Sequence, residues 1–205
     1  MYADCHIHMV LDGVYYKDAI AAHRDGPRED LIHLRLETYR SLGFTYLRDG
    51  GDRWGVGQRA RALAGAYGIT YRTPLFPIYK RGHYGGFIGR GFDTMEEYRA
   101  LVQEVRQGGG DFVKIMISGI MDFTHGGLTE PSLADSEIRE LIHIAHEEGF
   151  PVMAHTNGSQ AVRAAALAGV DSIEHGNFCD EDALQALAAS DAVWVPTIVT
   201  VKNLL

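Results

Sequence analysis

The sequence predicts an α/β protein of the (β/α)8 TIM-barrel type, incomplete, with about seven strands and six helices present. Three observations carry that prediction. Short strand-forming runs alternate with amphipathic helical runs along the chain, and no Asn-Gly hairpin signal joins neighbouring short strands. The strand count also exceeds the roughly five or six usual in an open doubly wound sheet. Such alternation implies parallel strands joined by right-handed crossovers.

The elements follow in order. Residues 2–8 (YADCHIH) read as the first strand. Residues 28–42 form a helix with Leu31, Leu34, Thr38 and Leu42, and Ile32, Leu36 and Tyr39, at helical spacing, closed by Gly43. Strand and helix then recur at 45–48 and 57–67, 69–78 and 94–107, 112–117 and 135–148, 152–155 and 160–168, and 172–175 and 180–189. A last strand covers 192–201. Ser132 to Asp135 supply a polar lead-in to the run of Ile138, Leu141, Ile142 and Ala145, while Gly149 and Gly169 sit just past helix ends, where a left-handed residue is needed. Residues 79–93 (YKRGHYGGFIGRGFD), after the third strand, are glycine-rich and read as a mobile active-site loop. One domain spans 1–205. A closed barrel takes about 250 residues, so its C-terminal part is expected to be missing.

Composition narrows the function. The chain has 205 residues, 46% of them hydrophobic and 22% charged, with a formal net charge of −8, which excludes disorder and collagen-like structure. No run approaches the roughly 18 apolar residues of a membrane span, and the start lacks a signal-peptide pattern, so a soluble cytoplasmic protein is expected. An acidic pI near 5.6 without a basic block argues against nucleic acid and gives no sign of a membrane partner. Cys5 and Cys179 are too few for a disulfide framework, which points to a reducing compartment.

Ten histidines are the unusual feature of the composition. In a barrel, chemistry is carried at the C-terminal ends of strands. His6 and His8 end the first strand two residues apart, so period-two geometry puts both on one face. His155 ends the fifth strand and His175 the sixth, and four imidazoles at one mouth is the disposition a metal site requires. Lys114 lies inside the apolar strand FVKIMI, where a buried charge costs several kcal/mol unless it is paired or deprotonated. Reaction with carbon dioxide, giving a carbamate able to bridge two metal ions, is one solution. An ion pair with Glu174 or Asp49, or a stem snorkelling to solvent, are the others.

These residues resemble the metal-dependent amidohydrolase superfamily, in particular its prolidase and imidazolonepropionase-like branch. The resemblance rests on DCHIH (4–8), GDFVKIM (110–116), VMAH (152–155), GVDSIEHG (169–176) and VPT (195–197), in the family's order over nearly the whole chain. It implies two divalent ions, expected to be Zn2+, with His6 and His8 on the more buried one, His155 and His175 on the other, and carboxylated Lys114 as bridge and catalytic participant. It implies hydrolysis of an amide, dipeptide or cyclic amide C–N bond in a small-molecule substrate, with His83 of RGHYGG beside the scissile carbonyl. The family's eighth-strand aspartate has no counterpart up to Leu205, and Asn177 and Phe178 stand where prolidase-like members often place a tyrosine. The family's small β-sandwich is formed from both termini, and its N-terminal part is expected to be lacking before Tyr2.

His125 of DFTHGG, after the fourth strand, is a second candidate for substrate contact. His143, His146, His23 and His33 read as surface residues, GVGQ and GFIGRG as weak phosphate-loop patterns, and Cys179 as a passive thiol beside Asp180. Two alternatives to a hydrolase stay open: a catalytically silent barrel fragment or interaction module with exposed edge strands, and a deaminase or isomerase using the same metal site. Self-association as a homo-oligomer is also left open.

Overall fold

The computed structural model describes residues 1–199, and the alternation is realised as an incomplete parallel α/β barrel. The order is β1 (Tyr2–Ile7), α1 (Tyr16–Ala21), α2 (Glu29–Ser41), β2 (Phe44–Asp49), α3 (Val56–Ala64), a 3-10 turn (Gly65–Tyr67), β3 (Thr70–Arg72), β4 (Pro77–Lys80), β5 (Arg90–Phe92) and α4 (Met95–Gln107). It continues with β6 (Val113–Met116), β7 (Met121–Asp122), β8 (Gly127–Leu128), α5 (Asp135–Glu147), β9 (Val152–Thr156), α6 (Ser159–Leu167), β10 (Ser172–His175), α7 (Glu181–Ala188) and β11 (Val193–Val195).

Four local features depart from expectation. The strand expected over 69–78 is two strands: β3 pairs with β2, and β4 pairs with β6. Leu75, in the left-handed region at φ 72°, turns the chain between them, so one barrel position changes partner halfway along. A short helix α1 and the antiparallel hairpin β7–β8 occupy connections that carry no strong periodicity. The lead-in to α5 ends in Ala134, which makes no side-chain cap, whereas Thr94 and Asp180 accept from the Glu97 and Ala183 amides and start α4 and α7. The strand expected over 192–201 is β11 alone; Thr200 and Val201 lie outside the described residues.

Packing follows from the parallel topology. The order β11-β10-β9-β6-β4-β5 forms one sheet and β1-β2-β3 the other. β6 and β9 are buried along their whole length, as strands sandwiched between helices and a barrel interior must be. Val102 and Val105 of α4, Ile138 and Ile142 of α5, and Val162 and Ala165 of α6 cover the outer face. Each large aliphatic side chain so buried contributes about 1.5–3 kcal/mol. Ile32 and Leu36 of α2 and Ala60 and Ala64 of α3 do the same for Leu47 and Ile69. Gly43, Gly149 and Gly169 terminate their helices at φ 85°, 75° and 78°. Among the described residues β1 pairs only with β2, and β11 only with β10, so the barrel is open between these strands. No described helix is long and apolar enough to cross a membrane.

Candidate active site

Strand ends deliver four imidazoles and one lysine to a single cavity of about 1300 Å³, lined among others by His6, His8, Lys114, His155 and His175. Ring centroids are 5.5 Å apart for His6 and His8, 4.9 Å for His6 and His175, and 4.6 Å for His155 and His175. Strand alternation would send the neighbours Glu174 and His175 to opposite faces. His175 instead takes a left-handed backbone at φ 73°, sparsely populated for a non-glycine residue, and both side chains reach His6. Gly176 follows because a Cβ there would stand 2.5 Å from the Trp194 indole nitrogen, which donates to the His175 carbonyl (3.0 Å).

Each imidazole is held by one nitrogen. His6 Nδ1 donates to Glu174 Oε2 (2.5 Å), His8 Nδ1 to the Gly51 carbonyl (3.1 Å), and His155 Nε2 to the Gly119 carbonyl (3.2 Å). His175 Nδ1 bonds the Thr197 hydroxyl (2.6 Å). The second nitrogen of every ring is left for another partner, which is how metal-ligating histidines are oriented in general. Burial is the main cause that lowers all four pKa values, to about 4 for His8 and about 3 for His155, and well below the ordinary value for His6 and His175. The Lys114 charge adds to this at each ring, and the rings are neutral at pH 7, the form that ligates. Among the described residues no three histidine, cysteine or carboxylate side chains are drawn to the distances a bound cation imposes. The donor set nevertheless fits a divalent ion, since neutral imidazoles with fixed tautomers converge on a shared space.

Lys114 is fully buried, and its Nζ has no hydrogen-bond partner among the described residues. Its burial excludes a stem that snorkels to solvent. Nor does Lys114 form an ion pair among the described residues: Glu174 is spent on His6, Arg48 and Ser172, and Asp49 on the Met9 amide and the Thr73 hydroxyl. Burial lowers the Lys114 pKa to about 8, against a smaller upward pull from Glu174.

Two of the residues expected to contact substrate lie elsewhere. His83 sits in the turn after β4 with Nδ1 3.7 Å from Glu130 Oε1, and it does not line the cavity. Tyr84 does, stacked on His155 at 4.7 Å. His125 is on the β7–β8 hairpin, exposed and bonded to Asp122 Oδ2 (2.6 Å), because Asp122 caps that turn and claims the ring locally. Residues 79–93 are not a loose loop: β5 pairs with β4, and a Cβ on Gly85 would come within 2.7 Å of Tyr79 Cβ. Tyr84 and Asn157 are neighbours of His155 that sequence reasoning missed, and Glu174, read there as a possible partner of Lys114, pairs with His6 instead. Asn157 donates to the Gly119 carbonyl (3.2 Å) and accepts from the Asn177 amide (3.2 Å), so Asn177 is tied into the scaffold beside His155. A carboxylate one residue before a strand-end histidine, in SIEH, was the legible signal for Glu174. Cys179 is half-buried, donates to the Gly176 carbonyl (3.1 Å), and has its pKa raised by burial and by Asp180, as a passive thiol should.

A parallel barrel with its polar residues gathered at the C-terminal strand ends belongs to the class of barrels that carry their chemistry at that face. The chain belongs to the amidohydrolase family, whose model matches residues 60–204. It is similar to ochratoxinase from Aspergillus niger, 24% identical over 224 residues that cover 95% of this chain and 46% of that protein. Among solved structures it is similar to a prolidase complexed with N-methylphosphonate-L-proline (TM-score 0.74, 27% identity, 99% of this chain and 54% of that one). It shares the fold of a Xaa-Pro dipeptidase with methionine in its active site (TM-score 0.72, 24% identity, 96% of this chain and 53% of that one). The chain spans about half the length of these relatives.

Proposed function

We propose that this chain supplies the larger part of a binuclear metal site that hydrolyses the C–N bond of an amide, dipeptide or cyclic amide. The observation that carries the reading is the buried, unpartnered Lys114 Nζ in a cavity shared with four imidazoles, each anchored through one nitrogen. His6 and His8 would hold one ion, His155 and His175 the other, and Lys114 as its carbamate would bridge them, with zinc the expected metal. The neutral amine adds to carbon dioxide and releases one proton, which replaces an orphaned donor by an anion with two ligand oxygens. Divalent ions bound there would supply Lewis acidity toward the carbonyl and a water ionised near neutral pH. Membership of the amidohydrolase family and the likeness to a prolidase support amide chemistry.

The chain's own residues do the holding. Glu174 and the Gly51 and Gly119 carbonyls fix the proton on the remote nitrogen of His6, His8 and His155, and Asn157 braces the loop that carries Gly119. The free thiols of Cys5 and Cys179 suit a reducing, cytoplasmic setting, and the negative net charge suits a small-molecule substrate rather than nucleic acid.

The test is metal content by mass spectrometry after expression without chelator and after addition of Zn2+ or Mn2+, together with carbon-13 NMR after labelled bicarbonate. Two ions per chain and a carbamate resonance are expected; no metal retained and none taken up would overturn the proposal. A screen of Xaa-Pro dipeptides, N-acyl amino acids and lactams then identifies the substrate. The same screen separates this reading from a second one, a binding module without catalysis.

A further inference from the structure

Aromatic side chains run outward from the candidate reaction centre along one wall of the cavity. Tyr84 lies over His155 (4.7 Å between centroids, 30° between planes), Phe87 packs on Tyr84 (5.5 Å), and Tyr16 of α1 meets Phe87 edge-on (6.1 Å, 82°). All three line the cavity, and Met116 and Met121 line it as well. We infer that Tyr84, Phe87 and Tyr16 form the specificity wall of the site, selecting amides whose residue next to the scissile bond carries an aromatic or large apolar side chain. The inference rests on the hydrolase reading of the same site and names its substrate class.

Two physical reasons support it. The wall is built in advance rather than assembled on binding. The turn that carries Tyr84 and Phe87 is seated where side chains have no room, since a Cβ on Gly85 would lie 2.9 Å from Met116 Cγ and one on Gly89 2.8 Å from the Pro77 carbonyl. The Tyr84 amide also donates to Glu130 Oε1. A pre-organised surface spends little binding energy on ordering. The ring faces of the wall favour such a group, too. Stacked and edge-on rings gain from a further ring or apolar group, whereas a carboxylate set against those faces loses water and meets no cation among Tyr84, Phe87 and Tyr16. Because Tyr84 stacks on His155, a substrate held at that imidazole lies beside this wall.

The experiment compares binding of N-acetyl-L-phenylalanine and N-acetyl-L-glutamate to the 205-residue chain after chelator treatment, by titration calorimetry, so that no hydrolysis intervenes. At least a tenfold preference for the phenylalanine compound is expected. It should fall below threefold in Tyr84→Ala and Phe87→Ala and persist in Tyr84→Phe, which keeps the ring. Tyr16 is half exposed, so Tyr16→Ala leaves the core intact and should reduce the preference even if the other variants fold poorly. Equal affinities, no binding of either compound, or a preference untouched by Tyr16→Ala and the other alanine variants would overturn the inference. Failure of the two readings is distinguishable. Aromatic preference in a chain that takes up no metal removes only the hydrolase proposal; hydrolysis indifferent to the side chain removes only this one.

Discussion

The carboxylate of Glu174 and the imidazole of His6 meet at 2.5 Å across the barrel interior, joining β10 to β1, strands that belong to different sheets. Arg48 completes the arrangement from β2. It donates to Glu174 Oε1 (2.7 Å), Ser172 Oγ (3.1 Å) and the Cys5 carbonyl (2.7 Å), so one buried carboxylate orients a candidate ligand and ties both sheets. A buried pair of this kind is a weak source of net stability, but removing one partner is costly.

Glu174→Gln keeps the volume and loses the charge. Without a carboxylate to hold the Nδ1 proton, His6 is no longer fixed in one tautomer, and affinity for Zn2+ should fall about 10–100-fold in a metal titration. Glu174→Ala also leaves Arg48 without its partner. Urea unfolding should then show a loss of about 2–4 kcal/mol, below the range for a fully buried pair because the Arg48 side chain is 18% exposed.

Lys114→Met separates stability from function. The variant removes an amine that has no partner and leaves a side chain of similar length, so the metal-free chain should gain about 1–3 kcal/mol or stay unchanged. Metal uptake and the carbamate resonance should disappear together. Retention of two ions by this variant would show that Lys114 is no bridge.

Asp49 gives a pH dependence of stability. It is fully buried, and burial first and then the neighbouring Asp52 charge raise its pKa to about 7. The folded state therefore holds this proton more tightly than the unfolded chain, whose aspartate titrates near about 3.9. The contribution is fully present below that value and is lost as pH rises through about 7, so unfolding free energy should drop by on the order of 2 kcal/mol between pH 5 and pH 8. Asp49→Asn should flatten that slope in urea titrations at the two pH values.

Gly50 and Gly65 make a matched pair. A Cβ on Gly50 would fall 2.3 Å from the His8 ring, so Gly50→Ala should displace His8, cost about 1–3 kcal/mol and weaken metal uptake. Gly65 has open space around it and helical angles (φ −58°, ψ −34°), so Gly65→Ala should stabilise the fold by about 0.4–1 kcal/mol with metal uptake unchanged. Thermal unfolding and metal analysis of both variants check the contrast.

Much of the fold was legible because the signals are local. Helix periodicity, closing glycines and apolar strand runs located α2 to α7 and the seven barrel positions to within a residue or two at most ends. His6, His8, Lys114, His155 and His175 stood out because a polar side chain inside an apolar strand, or at its end, is costly to bury unless a partner or a ligand compensates it. His83 and His125 are not among the residues lining the cavity, because proximity to a strand end says nothing about which way a turn points its side chains. An acid stands beside each: Glu130, from a distant loop, has Oε1 3.7 Å from His83 Nδ1, and Asp122 of the same turn binds His125.

The sequence by itself determined a parallel α/β barrel with four histidines and a lysine at its chemistry-bearing end, because strand and helix periods and the direction of parallel strands are properties of short segments. Only the tertiary structure decided which partners orient them. It brought Glu174 to His6 from a distant strand, turned His175 to the same side through a left-handed backbone, left the Lys114 amine unpartnered, and put Tyr84 rather than His83 against His155. These are contacts between residues far apart in the chain, or backbone angles set by packing, and a local pattern does not encode either.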